Sequence, residues 1–172
     1  ARMIKNGLLD RVIAGGIESL TRYHMNGFNT LMILDRDHCR PFDKSRLGLN
    51  LGEGAAYLVL EEMESALKAG KNIYAEITGY ANANDAYHPS SLSENGEGPY
   101  RAMNGALLEA NLNQNNIHYI NTHGTGTENN DEVESKAMQR IFATVPPFTS
   151  TKSKIGHTLG AAAAIESVFA IL

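Results

Sequence analysis

At 172 residues, with 42% hydrophobic and 20% charged content, the chain is long enough for one domain with a sizeable core and lacks the composition of a disordered segment. The 15 Lys and Arg against 19 Asp and Glu give a formal charge of -4, which argues against non-specific nucleic-acid binding, and the single cysteine excludes an internal disulfide and every CxxC metal site. The apolar run Leu159 to Leu172 falls short of the about 20 residues a bilayer requires, and no signal segment opens the chain, so a soluble, cytoplasmic protein without a membrane partner is expected.

Met3, Ile4 and Gly7 read as the last turns of a helix stopped by glycine. Ala1 opens without a start Met, and Leu172 closes inside an apolar helix without a cap, so both ends are expected to lie inside a longer protein. Leu8 to Gly16 has the short apolar run and Gly-Gly stop of a buried strand. Ile17 to Pro41 lacks a clean period and is expected to be loop with short helices. Ala55 to Leu60 reads as a strand entered through Gly52, Glu53 and Gly54, Met63 to Gly70 as a helix, and Tyr74 to Tyr80 as an alternating strand.

The stretch Ala81 to Pro99 is rich in Asn, Ser, Gly and Pro, a loop long enough to serve as a substrate-access segment. Tyr100 to Ala110 places Met103, Ala106, Leu107 and Ala110 on one helical face. Ile117 to Asn121 is a short buried strand running into THGTGTENNDEVE, and Asp131 to Phe142 resumes a helix before Pro146 and Pro147. Strands alternating with helices predict an α/β fold with a largely parallel sheet, where ligands collect at the carboxyl ends of strands.

Two histidines stand at such ends. His123 follows the strand around Tyr119 and precedes Gly124, Thr125, Gly126 and Thr127, where two glycines let a backbone approach a ligand and two hydroxyls can donate or accept. His157 follows the strand around Phe148 to Thr151, after Lys152 and Lys154, and precedes a helix with almost no polar face. Such a helix belongs in an interior, and its first turn favours an anion or a developing oxyanion. Either histidine alone could merely brace a turn; two at neighbouring strand ends form a constellation.

Other chemistries were weighed beside this one. His123, Asp131, Glu134 and His157 could ligate a metal, but their spacing is wrong for HExxH, and Asp131 and Glu134 fall on a helix where acids pair with lysines. No metal is expected. Cys39 sits in an irregular loop rather than at a helix start that would lower its pKa, so a structural role is favoured. Asp43 and Arg46 read as a loop-bracing ion pair.

With these residues in place the chain resembles the beta-ketoacyl-acyl-carrier-protein synthases of the elongating, fatty-acid synthase II type. The blocks VIAGGIES, CRPFDKSRLGLNLGEGAAYLVLEE, YAEITGYANANDAYH, NTHGTGTENNDEVE and STKSKIGHTLGAAAAIES follow the family order over essentially the whole chain. The resemblance implies a thiolase-like fold, two α/β halves in a layered α/β/α/β/α arrangement. In that scheme residues 1–172 are part of one ketosynthase domain, with about 1–70 ending the first half and about 71–172 forming most of the second. The nucleophilic cysteine and a final Gly-Phe-Gly-Gly loop would lie before Ala1 and after Leu172.

Carried over by position, His123 and His157 are similar to the family's paired active-site histidines and Lys152 to the lysine five residues ahead of the second. Asp131 and Glu134 match the acids that support that lysine. Thr125 and Thr127 match the hydroxyls that hold a phosphopantetheine arm. The resemblance implies decarboxylative condensation of an acyl thioester with malonyl carrier, with acyl carrier protein as partner, a homodimer, and no cofactor beyond the carrier's own phosphopantetheine. A non-catalytic, chain-length-factor-like partner subunit is the alternative. Leu47, Glu128, Ala163 and the Ser91, Leu92, Ser93 run depart from the usual pattern and bear on chain length and substrate type.

Overall fold

The computed structural model describes residues 1–88 and 91–172. In chain order these form α1 (Arg2–Lys5), β1 (Arg11–Glu18), α2 (Arg22–Thr30), β2 (Gly54–Glu61), α3 (Met63–Lys68), α4 (Glu97–Ala110), β3 (Ile120–Asn121), α5 (Glu128–Ile141), β4 (Phe148–Thr149), α6 (Lys152–Ile155) and α7 (Ala162–Ile171), with 3-10 turns at Gln114–Asn116 and Leu159–Ala161. They divide into two compact units, one of Ala1–Ser19, Gly52–Ile77 and Thr158–Leu172, the other of Leu20–Leu51 and Thr78–His157.

The first unit is an antiparallel ribbon with a helix on it. β1 and β2 pair over their whole length, from Arg11 opposite Glu61 to Glu18 opposite Gly54. Alternation sends Val12, Ala14, Leu58 and Leu60 to the face that α7 covers, while Ile13, Ile17, Tyr57 and Val59 face outward. Gly16 lets the 3-10 turn dock, since a Cβ there would lie 2.0 Å from the Gly160 carbonyl oxygen. The expected buried strand is therefore displaced to Arg11–Glu18 and half-covered, because one helix shields only one face of a two-stranded ribbon. Within this length α7 buries Ala162, while Phe169 is 53% exposed. α3 is capped by its preceding residue, whose carboxylate accepts from the amides of Glu64 and Ser65 at 3.0 and 2.7 Å.

In the second unit β3 and β4 lie parallel, Ile120 beside Phe148 and Asn121 beside Thr149, with α5 as the crossover. Val133, Ala137 and Met138 on α5, with Phe142, form its buried face. The largely parallel sheet of the sequence reading is corrected: the long ladder is antiparallel and the parallel one spans two residues per strand. Tyr74 to Tyr80 is not a strand either, since no ladder partners it among the described residues. Ile117 to Tyr119 likewise stay outside β3.

Two helices start a turn earlier than their apolar periodicity indicates. Asp85 gathers the amide and hydroxyl of Ser93 at 2.6 and 2.8 Å and the Gly98 amide at 2.9 Å, and the Ser93 hydroxyl accepts from the Glu97 amide at 3.0 Å. This clamp lets α4 open at Glu97 rather than at Tyr100. Of the expected access loop, Pro89 and Ser90 lie outside the described residues. The irregular stretch before β2 is organised by Asn50, whose amide group donates to the carbonyls of Asp35 and Asp37 and accepts from the Cys39 amide at 2.7 Å.

Candidate active site around two imidazoles

The turn after β3 folds as it does because side chains take the amides and carbonyls of His123 and Gly124 and the amide of Gly126. Thr122 continues the parallel ladder, its amide and hydroxyl both donating to the Thr149 carbonyl. Beyond it the chain leaves the sheet through Gly124 and Gly126, at φ of 40° and 82°, where glycine avoids the strain of a side chain. Glu134 accepts from the His123 amide at 2.7 Å and the Gly124 amide at 2.8 Å. Lys152 Nζ donates to the His123 carbonyl at 2.6 Å, and Ser150 Oγ to the Gly124 carbonyl at 2.6 Å. Asp131, 1% exposed, accepts from the Gly126 amide at 3.2 Å and from the Phe42 amide at 2.7 Å.

The turn after β4 runs through α6 and Gly156 to His157. There the His157 amide donates to the Asn50 carbonyl at 2.7 Å, and His157 forms a parallel bridge with Leu51. The result brings the two imidazoles into edge-to-face contact, ring centroids 5.1 Å apart at 82°. Both titrate well below the usual histidine value, at about 4. Burial lowers each, and the Lys152 ammonium lowers both further; for His157 the second cause is His123. Solvent reaches a substantial part of the His123 side chain. At neutral pH the pair is uncharged, and each ring keeps one N-H to donate.

The expected site residues thus meet in one unit, with corrections in how they are joined. Lys152 is buried, as a supporting lysine must be, at 1% exposure. The counter-charge expected from Glu134 is not its partner: the Glu134 carboxylate is occupied by two backbone amides and the Asn130 side chain. Burial pushes Glu134 up, while those amides pull it down. Asp131 and Glu134 are therefore backbone acceptors rather than lysine partners. Arg46 lies 3.8 Å from Asp131 and donates to the carbonyls of Asp43, Thr127 and Glu128, which replaces the expected Asp43 to Arg46 ion pair.

Thr125 and Thr127 face each other, hydroxyl oxygens 2.9 Å apart. Cys39 is buried, donates its thiol to the Lys152 carbonyl at 3.1 Å, and is pushed up in pKa chiefly by burial. It is no nucleophile in this state. The helix expected from Leu159 onward begins at Ala162, because Leu159, at φ of 40°, interrupts the helical path. Ser150 was not foreseen; a serine between two threonines and a lysine carries no signal until β4 is aligned with β3.

The comparisons with known proteins agree on one family. Residues 74–172 match the beta-ketoacyl synthase C-terminal domain and residues 1–66 the beta-ketoacyl synthase N-terminal domain. The chain is 43% identical over 183 aligned positions to 3-oxoacyl-[acyl-carrier-protein] synthase 2 of Rhizobium meliloti, covering 100% of this chain and 43% of that protein. Among solved structures it superposes on the ishigamide ketosynthase/chain length factor with a TM-score of 0.94 at 39% identity, covering 99% of this chain and 42% of that one. A type II PKS acyl-carrier protein in complex with its ketosynthase bound to the hexaketide gives a TM-score of 0.93 at 36% identity, covering 99% and 44%. The fold over this length is the thiolase-like α/β fold of ketosynthases, and the chain spans less than half the length of these relatives.

Proposed function

Since the chain belongs to the beta-ketoacyl synthase family, we propose that His123 and His157 form the decarboxylation half of a 3-oxoacyl-acyl-carrier-protein synthase site. The observation that carries this is the contact of two neutral imidazoles beside a buried lysine. When a malonyl thioester loses carbon dioxide, the electron pair of the broken C-C bond moves into an enolate whose oxygen gains charge. Two N-H donors aimed at that oxygen stabilise the charge without having to give up a proton. The enolate carbon then attacks an acyl thioester, and a thiolate leaves. Cys39 is unsuited to hold that acyl group, so the acyl-bearing cysteine is placed outside these residues, in the intact synthase.

Lys152 acts here in two ways: it fixes the His123 carbonyl, and its charge adds to burial in keeping both rings neutral. Thr125 and Thr127 present hydroxyls to a phosphopantetheine arm, which makes acyl carrier protein the partner, as in the related complex. A homodimer is the proposed assembly, and residues 1–70 and 71–172 are assigned to the two halves of the fold. The test is a pair of assays on the intact protein. His123→Ala and His157→Ala should each lower carbon dioxide release from malonyl carrier about a hundredfold or more, roughly 3 kcal/mol, while covalent acylation persists. Equal losses in both steps would place the histidines on the nucleophile instead. A second reading, a chain-length-factor-like partner subunit, has support from the likeness to the ishigamide ketosynthase/chain length factor; intact protein that takes up no acyl group would favour it.

A further inference from the structure

Four backbone groups decide where the His123 ring points: the amides and carbonyls of His123 and Gly124. Glu134 holds both amides and Lys152 holds the first carbonyl. The last of the four, the Gly124 carbonyl, is held by Ser150, whose hydroxyl donates at 2.6 Å and at the same time receives the Lys152 amide at 3.3 Å. Ser150 is 7% exposed, so water does not replace that bond readily.

Packing leaves the turn little freedom around this hydroxyl. A Cβ at Gly124 would come within 2.6 Å of the Ser150 Cβ and 2.8 Å of the Phe42 ring, so the glycine is pressed directly against the serine. Phe42 is itself anchored, by its amide to Asp131 and by its ring against Phe148 at 5.0 Å. Ser150 also sits one residue past β4, at the carboxyl end of the strand that leads to His157. One hydroxyl therefore joins the backbone of the first histidine turn to the segment that carries Lys152 and leads to the second.

We propose that Ser150 is a positioning residue that sets the His123 imidazole against His157 by tying the Gly124 carbonyl to the start of the Lys152 segment. It touches no reacting atom. The proposal rests on the reading of the two histidines as one site, and it adds a residue that the likeness to ketosynthases did not supply. Without the hydroxyl the Gly124 carbonyl must turn to find a donor, which rotates the adjacent peptide and swings the ring toward solvent.

The test is nuclear magnetic resonance titration of the imidazole nitrogens in the chain and its Ser150→Ala variant, which reads ring placement whether or not the intact protein condenses malonyl groups. The charged groups that act on His123 are Lys152 and Asp131, with the His157 ring against it, and the substitution alters none of them. Displacement of the ring should raise the His123 value by about one pH unit toward its ordinary one, with Ser150→Thr, which keeps the hydroxyl, returning it toward wild type. A folded Ser150→Ala variant with unmoved histidine titrations, whatever its melting temperature, would overturn the proposal. If Ser150→Ala does not fold, Ser150→Cys, a weaker donor of similar size, decides: a smaller upward shift supports the tie and a wild-type value refutes it. A failure of the decarboxylation assays with a positive titration result would count against the synthase reading alone.

Discussion

The turns that carry His123 and His157 reach the same place by different means. At His123 the backbone is held by three side chains from two segments, Glu134 on α5 and Ser150 with Lys152 directly after β4. At His157 the hold is backbone to backbone, through the Asn50 carbonyl and the bridge to Leu51. A turn built on buried side chains is vulnerable to single substitutions, whereas main-chain bonds such as those at His157 are reached through the loop that supplies them. The asymmetry means that the two rings can be disturbed one at a time.

The largest effect should come from Glu134→Ala. Two amides lose their acceptor at once, and a buried N-H left unpaired costs about 1 to 3 kcal/mol, so a loss of about 2 to 4 kcal/mol is expected in urea unfolding. The His123 imidazole should move in its titration well before that of His157. Glu134→Gln, with one carbonyl oxygen in place of two carboxylate oxygens, should fall between. A Glu134→Ala variant as stable as wild type would mean that the amides find other acceptors and that the turn is not organised by this carboxylate.

Asn50→Ala addresses the other turn and should cost less, about 1 to 2 kcal/mol, because one amide, that of Cys39, loses its acceptor while the carbonyls of Asp35 and Asp37 can turn to water. Its sharper signature is selectivity. The Asn50 backbone carbonyl survives the substitution but its loop loosens, so His157 should shift in titration while His123 stays near its wild-type value. Equal shifts in both rings would erase the distinction between the two turns.

How much of this was legible in the sequence follows from the range of each interaction. THGTGT and TKSKIGH declare turns, because glycines beside a histidine at a strand end leave few other uses. The meeting of the two histidines was also readable, since both follow strands that pair. The partners of Glu134 were not: a carboxylate 11 residues beyond His123 can reach that amide only once α5 folds back over the turn, and charge alone pointed it to Lys152. Tyr74 to Tyr80 shows the converse. Its alternation satisfies a strand's side chains but says nothing about a neighbour for its backbone.

The smallest effect, and the one that joins both turns, is the dependence of stability on pH. Each imidazole titrates at about 4 in the folded chain and near 6.5 when unfolded. As pH falls below 6.5 the unfolded state takes up protons first, so this part of the stability is complete above that pH and is lost as pH falls toward 4. The full slope for one histidine is about 1.4 kcal/mol per pH unit. Partial exposure of both rings reduces their shares, and a loss of about 1 kcal/mol in all between pH 6.5 and 4 is expected for the two together. Glu134, raised by burial, acts in the opposite sense, so the profile must be compared with a variant rather than read alone. Lys152→Met removes the charge that depresses both rings while keeping an unbranched apolar stem. Both histidines should then titrate closer to 6.5, and the loss of stability between pH 6.5 and 4 should become shallower than in wild type. Urea midpoints measured across that range for the two proteins supply the comparison. Superimposable slopes would mean that the lysine holds the His123 carbonyl without tuning the imidazoles, and the two turns would then share geometry but not charge.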